Sequence, residues 1–162
     1  MKKAVFFDRD GVINKGSSGY IFKNEDFIIN DDVIKAMKIL HDNGFKLFVI
    51  TNQGGISKNL YSKNEVLLLH KLLNAKCIEK GFELTDIYFC PHHDENENCL
   101  CRKPKPLLLE KAIARFHLNK KKSWFIGDRE KDEMAGQKAG INTIRIKENE
   151  ALLPHIDKII KD

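Results

Sequence analysis

Short apolar runs of strand length alternate with amphipathic stretches of helical length along almost the whole chain. Few folds admit that alternation. A strand that reaches the next one through a helix lies parallel to it, and the helices then cover both faces of one sheet. Residues 3–8 read as the first strand. Asp31 or Asp32 caps a helix with Val33, Ile34, Met37 and Leu40 on one stripe, closed by Gly44. Residues 46–50 form a second strand ending at Thr51. Ser62 and Glu65 make a capping box before a helix striped with Val66, Leu69, Leu73, Cys77 and Ile78, and Gly81 stops it. Residues 86–89 are a third strand. Pro106 fits the first turn of a helix carrying Leu109, Ile113 and Phe116. Residues 124–126 are the fourth strand, 130–139 a helix ended by Gly140, and 143–146 the fifth strand. A short peripheral helix is expected after residue 150. The expected fold class is α/β: a single doubly wound, Rossmann-like parallel sheet in one domain over residues 1–162.

A chain of 162 residues buries about 70% of its unfolded surface, so a core forms without disulfide staples. The formal net charge of +5 is compatible with phosphate esters or nucleic acid and selects neither. Lys120–Lys122 reads as a solvated loop. Residues 1–3 and the apolar run behind them imitate a signal peptide, but Asp8, Arg9 and Asp10 cut that run short. No later stretch is long enough to span a bilayer. A cytoplasmic monomer with no membrane partner is expected.

Four polar clusters carry the chemistry. The first is Asp8-Arg9-Asp10-Gly11, directly after strand one. Positions i and i+2 of a strand face the same way, and open α/β sheets bind ligands at the carboxyl ends of their strands. Paired carboxylates there suit Mg²⁺ and an aspartate nucleophile. Taken alone, the segment is as readily a strand followed by a polar turn. The second cluster is Thr51-Asn52-Gln53-Gly54-Gly55, where a hydroxyl and free backbone N–H groups can hold phosphate oxygens. The third, Arg102-Lys103-Pro104, pairs a bidentate guanidinium with a point charge; its bland reading is a solvated basic loop. The fourth runs from Gly127 to Asp132 at the end of strand four. Asp128 would reach the same cation as Asp8 and Asp10, and Asp132 would orient the lysine or a metal-bound water, or simply favour the helix dipole.

Chance supplies any one of these clusters but not all four in this order. Together Asp8-x-Asp10-Gly11, Thr51, Lys103 and Gly127-Asp128-x-x-x-Asp132 resemble the motifs of the haloacid dehalogenase superfamily of aspartyl-phosphate phosphatases, over residues 4 to about 146. The resemblance implies that Asp8 attacks phosphorus and that Asp10 protonates the leaving alkoxide and then activates water. It implies Mg²⁺ held by Asp8, Asp128 and the backbone carbonyl of Asp10, with Thr51 and Lys103 on the phosphoryl oxygens. The short connections after strands one and two leave no room for a folded cap. Specificity then falls to loops: Arg9 and the stretch of Gly16, Ser17, Ser18, Gly19 and Tyr20, with Asn52, Gln53 and Gly54, and Arg102 on a second phosphate or a hydroxyl.

Cys90-x-His92 and Cys99-x-Cys101 supply three thiolates and an imidazole, a recurrent closed tetrahedral set for Zn²⁺. His93 is the alternative to His92, and Cys77 reads as a core cysteine. A zinc-stabilised loop over residues 90–101 would aim Arg102 and Lys103. That order of motifs is similar to the branch containing D-glycero-D-manno-heptose 1,7-bisphosphate phosphatases and histidinol-phosphate phosphatases. Gly19-Tyr20-Ile21 and Thr51-Asn52-Gln53-Gly54-Gly55-Ile56 look like the heptose enzymes, whereas the interval from His92 to Cys99 is nearer the histidinol-phosphate branch. The reading favoured is a small phosphorylated sugar as substrate, in nucleotide-activated heptose synthesis; histidinol phosphate is the alternative. A 3′-phosphatase or a non-catalytic nucleic-acid-binding domain stands further off, because no basic stripe interleaved with aromatics is present.

Overall fold

The structure is a computed structural model that describes residues 1–161. Five parallel strands, β1 (Ala4–Phe7), β2 (Lys46–Asn52), β3 (Asp86–Cys90), β4 (Trp124–Gly127) and β5 (Asn142–Arg145), lie in the order β3-β2-β1-β4-β5. All four residues of β1 are sealed from solvent, as a strand must be when helices cover both faces of its sheet. Alternation divides the core. Val5 and Phe7 join Val33, Leu40, Leu69 and Leu73 on one side. Ala4 and Phe6 join Phe48, Leu109, Ile113 and Phe125 on the other. A one-residue slip would exchange the two sets and strand both.

Helices α1 (Val33–Asp42), α2 (Lys63–Glu79) and α5 (Leu153–Lys161) pack on the first face, and α3 (Leu107–Phe116) and α4 (Glu130–Ala139) on the second. The capping box forms as expected: Ser62 Oγ accepts from the Glu65 N–H, and Glu65 accepts from the Ser62 N–H at 2.7 Å. Several local expectations are corrected. Asp32 stands at the N-cap of α1 as expected but makes no side-chain cap bond to it; its Oδ2 instead accepts from the Leu153 N–H at 2.8 Å and ties α1 to α5. Helix α5 is therefore not peripheral, and Ile156 and Ile159 lie in the main core. Ile78 is exposed while His70 is buried in its place, because α2 is apolar on more than one side and its stripe cannot be read from hydropathy alone. Lys120–Lys122 is a single 3-10 turn capped by Asn119 rather than a loop.

The chain order reverses at β1, whose neighbours are β2 and β4. A sheet of this kind opens a crevice beyond the carboxyl ends at such a switch point. Among the described residues, the connection from β1 to α1 holds only one 3-10 turn, Asn24–Asp26, so no folded unit covers that crevice. None of the described helices is long and apolar enough to cross a membrane.

Candidate active site

Asp8 is the first residue past β1, and its N–H donates to the Ile126 carbonyl of β4 at 3.0 Å. Gly11 turns the chain with φ +87°, a conformation that side chains resist. A Cβ there would also fall 2.6 Å from Asp128 Oδ2, so this glycine lets the β1 and β4 loops close on one another. Asp8, Asp128 and Asp132 each bring a carboxylate oxygen within 4.8 Å of the others. A Cβ at Gly127 would lie 2.2 Å from Asp132 Cβ, which explains why a glycine precedes Asp128.

Lys103 is the hub of these acids. Its Nζ lies 2.8 Å from Asp8 Oδ1 and 2.7 Å from Asp132 Oδ1, and it donates to the Ile50 carbonyl at 2.9 Å. Burial works against the ammonium, but Asp132 and Asp8 outweigh it and hold Lys103 above the ordinary lysine range. Burial first, and the Asp132 charge next, push Asp8 up to about 7 against the pull of Lys103. Burial and Asp132 likewise raise Asp128. Asn52, expected as a substrate contact, lines the cleft and also clamps the Lys103 backbone in both directions, at 3.0 and 3.2 Å. Asp132 supports the lysine as expected and accepts from the Arg129 N–H at 3.1 Å.

The acids fit a hard cation. Asp128 Oδ1 is buried with no hydrogen-bond donor, a costly state for a carboxylate unless a cation answers it. Asp132 is committed to Lys103 and the start of α4, so Asp8 and Asp128 are the side chains left to hold Mg²⁺. Asp10 does not offer its carboxylate to that point. Its Oδ1 accepts from Arg9 Nε (3.1 Å), Arg9 Nη2 (3.0 Å) and Asn14 Nδ2 (2.9 Å), and its Oδ2 accepts from Arg9 Nη2 and Gln53 Nε2, both at 3.1 Å.

Arg9 is thereby corrected as a substrate contact. It is fully buried, and Nη2 also donates to the Ile21 carbonyl at 2.6 Å. The alternation that brings Asp8 and Asp10 to the cleft turns Arg9 beneath it. Gln53, 2% exposed, also lies beneath the cleft, bonded to Asp10 and to Thr51 Oγ1 at 2.9 Å.

The cleft itself has a volume of about 300 Å³. Asp8, Asp10, Thr51 and Lys103 form its floor, and Gly16, Ser17, Ser18, Gly19 and Tyr20 line it with Gly54 and Arg102. Three lining residues escaped the sequence reading: His93, Arg129 and Lys131. Arg129 and Lys131 stand within the segment already singled out after β4, at alternate positions beside its acids. The loop of residues 16–20 is fastened from across the sheet, since the Gly16 N–H donates to Asn149 Oδ1 at 2.8 Å and the Asn149 N–H to the Gly11 carbonyl at 2.7 Å.

Cys90 ends β3, and its Sγ lies 3.7 Å from Cys99 Sγ, 3.1 Å from Cys101 Sγ and 3.5 Å from His92 Nδ1. Tetrahedral bonds of about 2.0–2.3 Å to a central zinc put ligand atoms roughly 3.3–3.8 Å apart, close to these separations. His92, not His93, completes the cluster. Burial and the Cys101 thiol push the Cys90 thiol up, so its thiolate form is favoured only with a cation beside it. The same loop aims Arg102, whose Nη1 donates to the His92 carbonyl at 3.0 Å.

A five-stranded parallel sheet with Asp8, Thr51, Lys103 and Asp128 gathered at its switch point defines a hydrolase of the haloacid dehalogenase-like class. Residues 100–157 match the family model described as HAD-hydrolase-like. A D-glycero-β-D-manno-heptose-1,7-bisphosphate 7-phosphatase of Pasteurella multocida is 37% identical over 91% of this chain and 83% of its own length. The enzyme of that name from Helicobacter pylori J99 is 39% identical over 94% and 88%. The α-anomer 7-phosphatase of Photorhabdus laumondii is 38% identical over 86% and 79%. The crystal structure of the D,D-heptose 1,7-bisphosphate phosphatase from B. bronchiseptica, complexed with magnesium and phosphate, superposes with a TM-score of 0.82 at 25% identity, covering 87% of this chain and 78% of that one. The chain belongs to the heptose-1,7-bisphosphate phosphatase family of haloacid dehalogenase-like hydrolases.

Proposed function

We propose that this phosphatase removes the 7-phosphate of D-glycero-D-manno-heptose 1,7-bisphosphate. The observation that carries the substrate is the cationic rim of the cleft, Arg102, Arg129 and Lys131, around a phosphoryl-transfer floor in a chain 35–39% identical to phosphatases named for that compound. A substrate with a second phosphate gains from the rim. Histidinol phosphate would bring an ammonium group to it and meet like charge.

In the first half-reaction an Asp8 carboxylate oxygen attacks phosphorus, and the bond from phosphorus to the ester oxygen breaks. Asp10, protonated, gives its proton to the departing alkoxide. In the second half, Asp10 takes a proton from water, the water oxygen attacks phosphorus, and the acyl-phosphate bond breaks to release phosphate and restore Asp8. Lys103 and the Thr51 hydroxyl hold the phosphoryl oxygens throughout. Mg²⁺, held by Asp8 and Asp128 with the Asp10 carbonyl, would neutralise charge on those oxygens. Zn²⁺ on Cys90, His92, Cys99 and Cys101 would be structural, with no position left for water.

Phosphate release from the α- and β-heptose 1,7-bisphosphates, measured beside histidinol phosphate, tests the substrate. One equivalent of phosphate per sugar, lost from C7 and at a kcat/KM well above that for histidinol phosphate, is expected. Faster turnover of histidinol phosphate would overturn the assignment while leaving the fold and the phosphatase class standing.

A further inference from the structure

Asp10 moves the proton in both half-reactions, and the groups that hold its carboxylate differ in kind. The Arg9 guanidinium can only donate. Gln53 is a primary amide, with NH₂ on one side and a carbonyl oxygen of nearly the same shape on the other. Turned over about its last bond, it would set that oxygen against the Asp10 carboxylate. A third group holds it in the right sense. With Nε2 donating to the acceptor-only Asp10 carboxylate at 3.1 Å and to Thr51 Oγ1 at 2.9 Å, the Tyr61 hydroxyl donates to the Oε1 left at the other end, at 2.7 Å, and satisfies it. Gln53 is 2% exposed and Tyr61 6%, which leaves bulk water little access to compete for either end of the amide. Burial pushes the phenol up to about 12, so it stays a donor wherever the enzyme works.

The ring that carries this hydroxyl is held on several sides. Phe22 stacks on it at 5.0 Å between centroids with planes 13° apart, and Tyr20 meets it edge-on at 5.7 Å. A Cβ at Gly55 would fall 2.1 Å from Tyr61 Cε1, so that glycine makes room for the ring. Tyr20 is also the last residue of the loop that lines the cleft. The ring therefore bears on the substrate loop while its hydroxyl bears on Gln53.

We infer that Tyr61 is a positioning residue for the proton transfer: acting through Gln53, it holds the Asp10 carboxylate in the sense and place the reaction needs. The inference rests on Asp10 as the acid and base of the proposed mechanism. It does not depend on which sugar is the substrate.

The test compares wild type, Tyr61→Phe, Gln53→Ala and the double variant, with Mg²⁺ saturating. The substrates are heptose 1,7-bisphosphate, β-glycerol phosphate and p-nitrophenyl phosphate. Tyr61→Phe keeps the ring and its stacking and removes only the donor. Leaving one buried acceptor unsatisfied corresponds to roughly a 5- to 100-fold loss, expected in kcat/KM for the two alkyl esters. The loss on p-nitrophenyl phosphate should be clearly smaller, because its leaving group needs little protonation. The double variant should be no slower than Gln53→Ala alone, since the two residues act as one unit. Wild-type rates in Tyr61→Phe, equal losses on all three esters, or losses that multiply in the double variant would each overturn the inference. The glycerol ester keeps it testable if the heptose assignment fails.

Discussion

Lys103 Nζ stands 2.8 Å from Asp8 Oδ1, with the lysine side chain 1% and the aspartate 9% exposed. The proposed nucleophile and the cation proposed to serve the transferring phosphate thus form a buried pair, and Asp132 closes it from the other side at 2.7 Å. Such a pair is costly to break from one side, because the remaining charges stay buried.

Lys103→Ala is therefore expected to fail twice. Loss of a preorganised donor to the phosphoryl group corresponds to roughly 10²–10³ in kcat, and leaving Asp8 and Asp132 unpaired to about 3–5 kcal/mol of stability. Steady-state kinetics and urea unfolding measure the two effects. Lys103→Arg should rescue neither fully, since a planar fork does not replace a point charge in a sealed site. An alanine variant within tenfold of wild-type activity would contradict this role.

Asp8 sets a pH dependence of definite sign. Its pKa is raised from 3.8 to about 7, so between those values the metal-free native protein holds a proton there that the unfolded chain has lost. The stability this contributes is present below pH 4 and is lost as pH rises through 7. Mg²⁺ needs the ionised form, so its apparent affinity should strengthen as pH rises toward 7, and its binding near pH 6.5 should release protons. Calorimetry in buffers of different ionisation enthalpy reads that release, which Asp8→Asn should reduce by the share that Asp8 contributes. An affinity flat between pH 5.5 and 8 would contradict the titration.

The cysteine loop separates structure from chemistry. About one zinc per chain is expected from a closed four-ligand site, and the Cys99→Ser, Cys101→Ser double variant should lose it. Activity should fall with it through Arg102 and Lys103, which follow the cluster directly, because a misplacement of about 1 Å can cost roughly 10²-fold. Full zinc content in the double variant would refute the site.

Arg102 tests the second phosphate. Its Nη1 is held by the His92 carbonyl and its side chain lines the cleft. Loss of a charged contact corresponds to about 1.5–3 kcal/mol, or roughly 10- to 150-fold. Arg102→Ala should lower kcat/KM for the bisphosphate by that order and much less for p-nitrophenyl phosphate. Equal losses would place Arg102 in the common phosphoryl site.

The strands, their order of use and the four acids were legible because each follows from a local rule. Apolar runs mark buried parallel strands, and carboxylates just past a strand reach the crevice wherever that strand pairs. Asp8, Thr51, Lys103 and Asp128 accordingly stand where the motifs put them. Arg9 was misread because its charge says nothing about which side of the chain it faces, and its partners Ile21 and His70 come from distant segments. Tyr61 and Asn149 were silent for the same reason. Their hydrogen bonds to Gln53 and Gly16 depend on tertiary placement, and a tyrosine or asparagine in a turn is unremarkable as sequence.

The covalent role of Asp8 is tested most directly by rapid acid quench during turnover, followed by mass spectrometry of the peptide that contains it. Wild type should carry a hydroxylamine-labile phosphoryl group on Asp8, and Asp8→Asn should carry none and show no turnover while remaining folded. Turnover without phosphoryl-Asp8, or an Asp8→Asn variant that keeps more than a small fraction of wild-type activity, would contradict the mechanism.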